Sequence, residues 1–299
     1  MSIDSSSIIS SSAKIHSSVD IGPFCIIGDD VELGEGTSVL SHAIIKGPTK
    51  IGKNNIIYQF SSIGEDTPDK KYNGEDTKLV IGDNNIFREG VTIHRGTVQD
   101  KGITEIGNNN LLMAYTHVAH DCVIGDNNVF ANNAGLAGHV IIGNFVIMGG
   151  YSAVHQFCSL GDHSFLGMNT SVTMDIPAFL KVASNPARIV GINSIGMIRN
   201  EISDDSISLV KKAFKLVYKK ELKLNEAIKE LEIMLSEGND THLETFIKSI
   251  QNPNTALWLV VFKFWIGLFL RMIAKVKRAC GHVLSSLAWL CCRQLHILC

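Results

Sequence analysis

An apolar residue at every sixth position constrains this 299-residue chain more than any other feature. Counting in sixes from Ile15 gives Ile21, Ile27, Leu33, Val39, Ile45, Ile51, Ile57 and Ile63, then Ile81, Phe87 and Ile93 in the same phase. After a shift of one residue the series resumes at Ile106 and runs through Leu112, Val118, Ile124, Phe130 and Leu136 to Val172. Gly often follows the apolar residue, with Asp-Asn or Asn-Asn after it, as in IGDNN at 81–85 and IGNNN at 106–110. Such residues tolerate the left-handed backbone that a tight corner needs. A short strand and a corner every six residues predict a three-sided parallel β-helix, three hexapeptides to each coil of 18 residues, with the apolar position pointing inward.

Two polar, turn-rich stretches interrupt the series, near 66–78 and 95–104, and the length of the second breaks the phase. Both read as loops pushed out of the helix wall, where binding groups tend to sit. The hexapeptide pattern is lost beyond Pro177 and helical spacing replaces it. Ser203 reads as the cap of a first helix carrying Ile207, Val210, Phe214 and Val217. Asn225 reads as the cap of a second helix ended by Gly238, and a third is expected over 241–250. The expected organisation is a β-helix over 1–190, a small helical domain over 191–252, and a separate tail over 253–299.

Charge supports that division. The whole chain carries a net −2, yet from Pro253 to Cys299 there are six basic and no acidic residues, which leaves −8 on residues 1–252. An acidic body argues against a nucleic-acid binder, whose affinity rests on neutralising phosphates. Cys25, Cys122 and Cys158 match no zinc spacing and read as reduced packing residues. The N-terminus lacks a basic start followed by an apolar run, so a cytoplasmic protein is expected. For the tail, with its ALWLVVFKFWIGLFL run, three readings stand: a membrane-associating extension, a buried extra helix, and translation in a wrong frame.

The repeat also places side chains, because positions 18 apart stack on one face of adjacent coils. Val118, Leu136 and Val154 are such a set. Beside them lie His117, His120 and Asp121, then Gly138 and His139, then His155 and Gln156. Corners of a β-helix accept histidine for structural reasons alone, but four on one face with a carboxylate beside one point to chemistry. They suit either zinc, as in carbonic anhydrases of this architecture, or a general base for acyl transfer. A carboxylate next to His120 orients its ring and favours the second.

These residues carry a resemblance. IGPFCIIG at 21–28, IYQFSSIGE at 57–65, VTIHRGT at 91–97, HVAHDCVIG at 117–125, LAGHV at 136–140 and AVHQFCSLG at 153–161 are similar to the UDP-N-acetylglucosamine O-acyltransferase family, which begins lipid A biosynthesis. The resemblance spans about residues 3–250. It implies the left-handed form of the β-helix, a homotrimer with sites between neighbouring subunits, and no cofactor or metal. It further implies transfer of an (R)-3-hydroxyacyl group from acyl carrier protein to the 3-hydroxyl of UDP-N-acetylglucosamine, without an acyl-enzyme. His120 matches the general base, Asp121 its partner and Gly138 the oxyanion-binding amide. His117 and His139 match substrate-positioning residues, Asp69 and Lys71 groups near the sugar or its diphosphate, and His155, Gln156, Asn193 and Arg199 groups near the nucleotide.

Met168 stands at the family's acyl-length ruler, which implies a chain nearer ten carbons than fourteen. Ile195 and Asn200 depart from the acidic and basic residues common in the family's nucleotide site. The related N-acyltransferases usually carry a further domain before the repeats, and here the repeats start by Ile15. On the first C-terminal helix Lys211, Lys212, Lys215, Lys219 and Lys220 form the expected landing patch for an acidic carrier protein.

Overall fold

The computed structural model describes residues 2–220 and 222–251, so the expected tail over 253–299 lies outside the described residues. Among the described residues there are twenty-eight short strands, of which the first twenty-six wind into a left-handed parallel β-helix. Within the coils every third strand is a hydrogen-bonded neighbour, which with the closing hairpin gives three sheets of eleven, nine and eight strands, one for each wall. The sixth-residue series forms the core: from Ile21 to Val172 every member is at most 3% exposed, and Ile15, near the open end, is half-buried. At about 25 cal/mol for each Å² of apolar surface removed from water, this column is the main stabilising term of the β-helix.

Pairing partners lie 18 residues apart in the uninterrupted coils, as with Ile21 and Val39 or Leu136 and Val154. Across the first loop the spacing rises to 30, Ile56 with Ile86, and across the second to 25, Ile86 with Leu111. The first excess is two whole hexapeptides and keeps the phase of the sequence. The second is one hexapeptide and one residue, which is the shift seen at Ile106. Both loops fall where the polar stretches place them, after Glu65 and after His94.

Corners adopt the left-handed region, at Asn84, Asn109 and Asn127 as Asn-rich corners predict, but also at Phe24, His42, Phe60, Asp121, His139, Phe157 and His163. A side chain with φ > 0 costs on the order of 1 kcal/mol. Here the repeat stacks one corner on the next, and ring contacts offset that cost: Phe24, His42 and Phe60 have centroids 5.1 and 5.4 Å apart. Inside another corner buried asparagines form a ladder. Asn55 Oδ1 accepts from the Asn85 amide, Asn85 from Asn110 and Asn110 from Asn128, at 2.8–2.9 Å.

An antiparallel hairpin of Leu180–Ala183 and Arg188–Ile192 closes the β-helix and lies across the boundary expected at 190. Among the described residues four helices follow: α1 (Ser194–Arg199), α2 (Asp204–Tyr218), α3 (Leu224–Gly238) and α4 (Thr241–Gln251). Helix α2 has the expected cap, Ser203 Oγ accepting from the Ser206 amide at 3.2 Å. Helix α3 starts earlier than Asn225 predicts, because Glu226 folds back to accept from the Lys223 amide at 2.9 Å. It ends at Gly238, with Asn239 in the left-handed cap position. The sequence pattern does not reveal α1, which is a turn and a half capped by Asn193.

His163 joins the two parts. Its ring stacks between Phe145 and Phe179, at 4.7 and 5.2 Å, with His242 of α4 edge-on at 6.5 Å. Asn200 Nδ2 donates to its Nδ1 at 3.3 Å. Burial holds its proton affinity below that of a free histidine; Asp162 opposes this and His242 adds to it. The unfolded chain therefore binds more protons just below the ordinary histidine value of about 6.5. Stability from this junction should be complete above that pH and fall as the solution is acidified. Urea midpoints between pH 5 and pH 8 should show a shallower dependence in His163→Phe than in the parent chain.

Candidate active site

The strand His117–Val118 ends in a corner that carries His120 and Asp121. Asp121 sits at φ 59°, which turns its side chain under the loop rather than into solvent; the side chain is 1% exposed. Its carboxylate accepts from the Thr97 amide at 2.8 Å, the Thr97 hydroxyl at 2.6 Å and His120 Nδ1 at 2.8 Å. Its own amide donates to Thr104 Oγ1 at 2.8 Å. A carboxylate can only accept, so Nδ1 of His120 carries the hydrogen and the neutral ring keeps its lone pair on Nε2. That is the tautomer a general base requires.

One coil further, Gly138 lies against His120 and His139 against Asp121. A β-carbon at Gly138 would stand 2.5 Å from His120 Cε1 and 2.8 Å from Nε2, so only glycine leaves room for the ring. No hydrogen bond among the described residues engages the Gly138 amide. The His139 ring meets His120 edge-on at 5.0 Å and stacks on Phe157 at 4.4 Å. Its Nδ1 donates to Asp100 Oδ2 at 2.8 Å and stands 3.9 Å from Asp121 Oδ2.

His117 is half-buried on the same wall, its Nδ1 2.8 Å from Thr92 Oγ1 and its ring 5.3 Å from that of His94. Burial, then the neighbouring His94 and His120, lower its proton affinity and keep it neutral. His94 Nδ1 donates to the Asp66 carbonyl at 2.6 Å. The Asp66 carboxylate accepts from Arg95 Nη2 and, at 3.0 Å, from the Tyr72 hydroxyl. Burial would raise the Asp66 carboxyl, but these hydrogen bonds and the Arg95 charge outweigh it and hold it low. The first loop is thereby tied to the strand Thr92–His94.

The structure brings together His117, His120, Asp121, Gly138 and His139. His155 and Gln156 are exposed at the next corner, His155 Nδ1 donating to the Gln156 carbonyl at 3.2 Å. Asp69 lies in the first loop, where its Oδ1 accepts from the Lys71 amide at 2.9 Å, and the Lys71 side chain is exposed. Asn193 is 6% exposed and works as the cap of α1, accepting from Gly196 at 3.1 Å and donating to the His163 carbonyl at 2.9 Å. Arg199 is exposed at the last turn of α1, and Ile195 and Met168 are 62% and 69% exposed. Among the described residues no hydrogen bond, ion pair or ring contact joins these to the His120 group.

Arg95 and Thr97 lie within VTIHRGT at 91–97 and hold the site together with Thr104, Asp100 and Asp66, and these last three are not singled out by the sequence. Their only signal there is the two loops that interrupt the repeat. His120, Asp121 and His139 have ligand atoms within 4.8 Å of one another, but Asp121 is already saturated by donors and only two of the three are imidazoles. Among the described residues three histidines do not converge into a zinc centre. Burial pushes the Cys122 and Cys158 thiols up to about 12 and about 11, which suits packing and not nucleophilic chemistry.

Residues 103–138 match the bacterial transferase hexapeptide model, and this with the His120–Asp121 couple places the chain in the class of hexapeptide-repeat transferases. Residues 175–256 match the model described as UDP-N-acetylglucosamine O-acyltransferase, domain 2. Curated relatives named acyl-(acyl-carrier-protein)–UDP-N-acetylglucosamine O-acyltransferase include those of Stutzerimonas stutzeri and Pseudomonas putida. The first is 53% identical over 77% of this chain and 89% of its own, the second 51% over 84% and 96%. The solved structure of LpxA from Acinetobacter baumannii superposes with a TM-score of 0.80 at 46% identity, covering 83% of this chain and 96% of that one. That of the UDP-N-acetylglucosamine O-acyltransferase from Moraxella catarrhalis gives 0.81 at 48%, covering 84% and 97%. The chain belongs to the UDP-N-acetylglucosamine O-acyltransferase family.

Gly138→Ala puts a methyl group where the His120 ring lies. It should leave the coils intact by circular dichroism while lowering turnover about a hundredfold through displacement of that ring.

Proposed function

We propose that this protein moves an (R)-3-hydroxyacyl group from acyl carrier protein to the 3-hydroxyl of UDP-N-acetylglucosamine, the first step of lipid A biosynthesis. The observation that carries this reading is the His120–Asp121–Thr97 chain, which leaves Nε2 of His120 as an acceptor, with the Gly138 amide on the next coil unengaged among the described residues. His120 Nε2 takes the proton of the sugar hydroxyl as its oxygen attacks the thioester carbonyl. The Gly138 N–H receives the oxyanion. Collapse breaks the carbon–sulfur bond, and the proton on His120 passes to the departing thiolate. No acyl-enzyme forms, in keeping with thiols too basic to react.

In this reading His117 and His139 position the sugar, and Asp69 and Lys71 address the sugar or its diphosphate from the first loop. His155, Gln156, Asn193 and Arg199 belong to the nucleotide end. Asn193 acts there through the cap it makes, which aims α1 and with it Arg199. A homotrimer in the cytoplasm completes the site. Support for assembly is the exposure of Tyr115, Tyr151, Phe157 and Met168, all 61–69% exposed in one chain, on coils whose interior is saturated. Among the described residues no helix is long and apolar enough to cross a membrane. All five lysines at 211, 212, 215, 219 and 220 are exposed on or just past α2, the surface offered to acidic carrier protein.

The test is transfer with purified protein, UDP-N-acetylglucosamine and 3-hydroxyacyl carrier proteins of several lengths. His120→Ala should lower the rate about a hundred- to ten-thousand-fold with the oligomer unchanged by light scattering; equal turnover would remove His120 from the mechanism. Met168 should favour chains of about ten carbons by filling the groove end with a side chain of some four heavy atoms. Met168→Gly should then move the preference toward fourteen carbons in the same competition assay.

A further inference from the structure

We propose that Asp100 is a positioning residue for His139, forming with it a second histidine–carboxylate couple beside that of His120 and Asp121. The inference rests on the acyl-transfer reading of the site. Asp100 belongs to the loop whose odd length breaks the hexapeptide phase. That loop is closed on itself: the amides of Asp100 and Gly102 both donate to the Thr97 carbonyl, at 3.2 and 3.0 Å, with Gly102 at φ 71°. The Thr97 side chain and amide meanwhile grip Asp121. One small ring of backbone therefore delivers Thr97 to the first couple and Asp100 to the second.

The geometry at His139 is fully specified. Its ring is stacked on Phe157, edge-on to His120 and 15% exposed, and its amide donates to the His120 carbonyl at 3.0 Å. Stacking sets the plane of the ring but not which nitrogen faces where. The 2.8 Å contact from Nδ1 to Asp100 Oδ2 does that, because the carboxylate accepts only and so requires the hydrogen on Nδ1. The opposite nitrogen, Nε2, is then an acceptor aimed away from the loop. An acceptor there recognises an amide hydrogen of the sugar nucleotide, or a hydroxyl acting as donor, whereas the Nε2–H tautomer would present a donor that an amide N–H cannot accept and that would force a hydroxyl into the acceptor role. Asp121 is a poor substitute for Asp100, since it lies 3.9 Å from the same nitrogen and already receives three hydrogens.

The experiment compares the whole protein with Asp100→Ala and Asp100→Asn, using steady-state kinetics together with nitrogen-15 NMR of labelled histidine, the His139 signals assigned through His139→Gln. Asp100→Ala should raise KM for UDP-N-acetylglucosamine about tenfold or more, with kcat and its pH profile, which report on His120, little changed. Its neutral His139 should lose the Nδ1–H signature. Asp100→Asn, whose amide oxygen can still accept, should fall between. If Asp100 only staples the loop, melting temperature drops while KM and the tautomer stay as they were, and the proposal is overturned. A fall in kcat at constant KM overturns it too. Should the parent protein transfer no acyl group, the acyl-transfer reading fails by itself, and the NMR comparison still decides whether Asp100 sets the His139 tautomer.

Discussion

Parallel pairing between successive coils is the constraint from which the rest of this molecule follows. It fixes a repeat of 18 residues and sets equivalent positions one strand spacing apart, about 4.8 Å. That spacing is close to the ring-to-ring distance of stacked aromatics and to the reach of an asparagine side chain from one backbone to the next. The apolar column, the Asn55–Asn85–Asn110–Asn128 ladder and the stacked corners are three consequences of one geometry. So is the candidate site: His120 meets Gly138, and Asp121 meets His139 and then Phe157, because each pair is 18 residues apart.

The same rule explains how much could be read from residues alone. Core positions, coil length, both loops and the identity of the histidine-bearing face follow from counting in sixes, since a β-helix converts sequence distance directly into spatial distance. What counting cannot supply is whatever leaves the wall. Thr97 and Asp100 reach Asp121 and His139 across 24 and 39 residues, through loop conformations that no period encodes. Asn193 illustrates a different gap. Resemblance assigns it to the nucleotide, while its position reveals a buried cap of a six-residue helix too short to show a periodic pattern. Aromatic corners were hidden for a third reason: Phe157 or His163 alone is a poor left-handed residue, and only its stacked neighbours make it tolerable.

Division of labour between wall and loop has a physical logic. The wall is rigid, because each strand is paired on both sides and its inward residues are packed, so it can hold His120, Gly138 and His139 at fixed separations. Rigidity also means it offers few side chains for orienting those groups, since the inward positions are apolar and the neighbouring corners are occupied. The insertions supply what is missing. Asp66 takes the hydrogen of His94, and Asp100 that of His139, while Thr97 satisfies the carboxylate that serves His120. Each orienting contact engages Nδ1, the nitrogen nearer the backbone, and frees Nε2 for the solvent side.

That common orientation bears on charge. The innermost groups here are imidazoles with carboxylates behind them. Burial, helped by the two neighbouring histidines, keeps His117 neutral. Lys71 and Arg199 are exposed, the one in the first loop and the other at the last turn of α1. A cation packed against an imidazole lowers its affinity for a proton, whereas a carboxylate at its Nδ1 raises it. The wall and its insertions are therefore one arrangement, a group of imidazoles oriented through Nδ1 by carboxylates and a carbonyl, with the cations Lys71 and Arg199 exposed outside it.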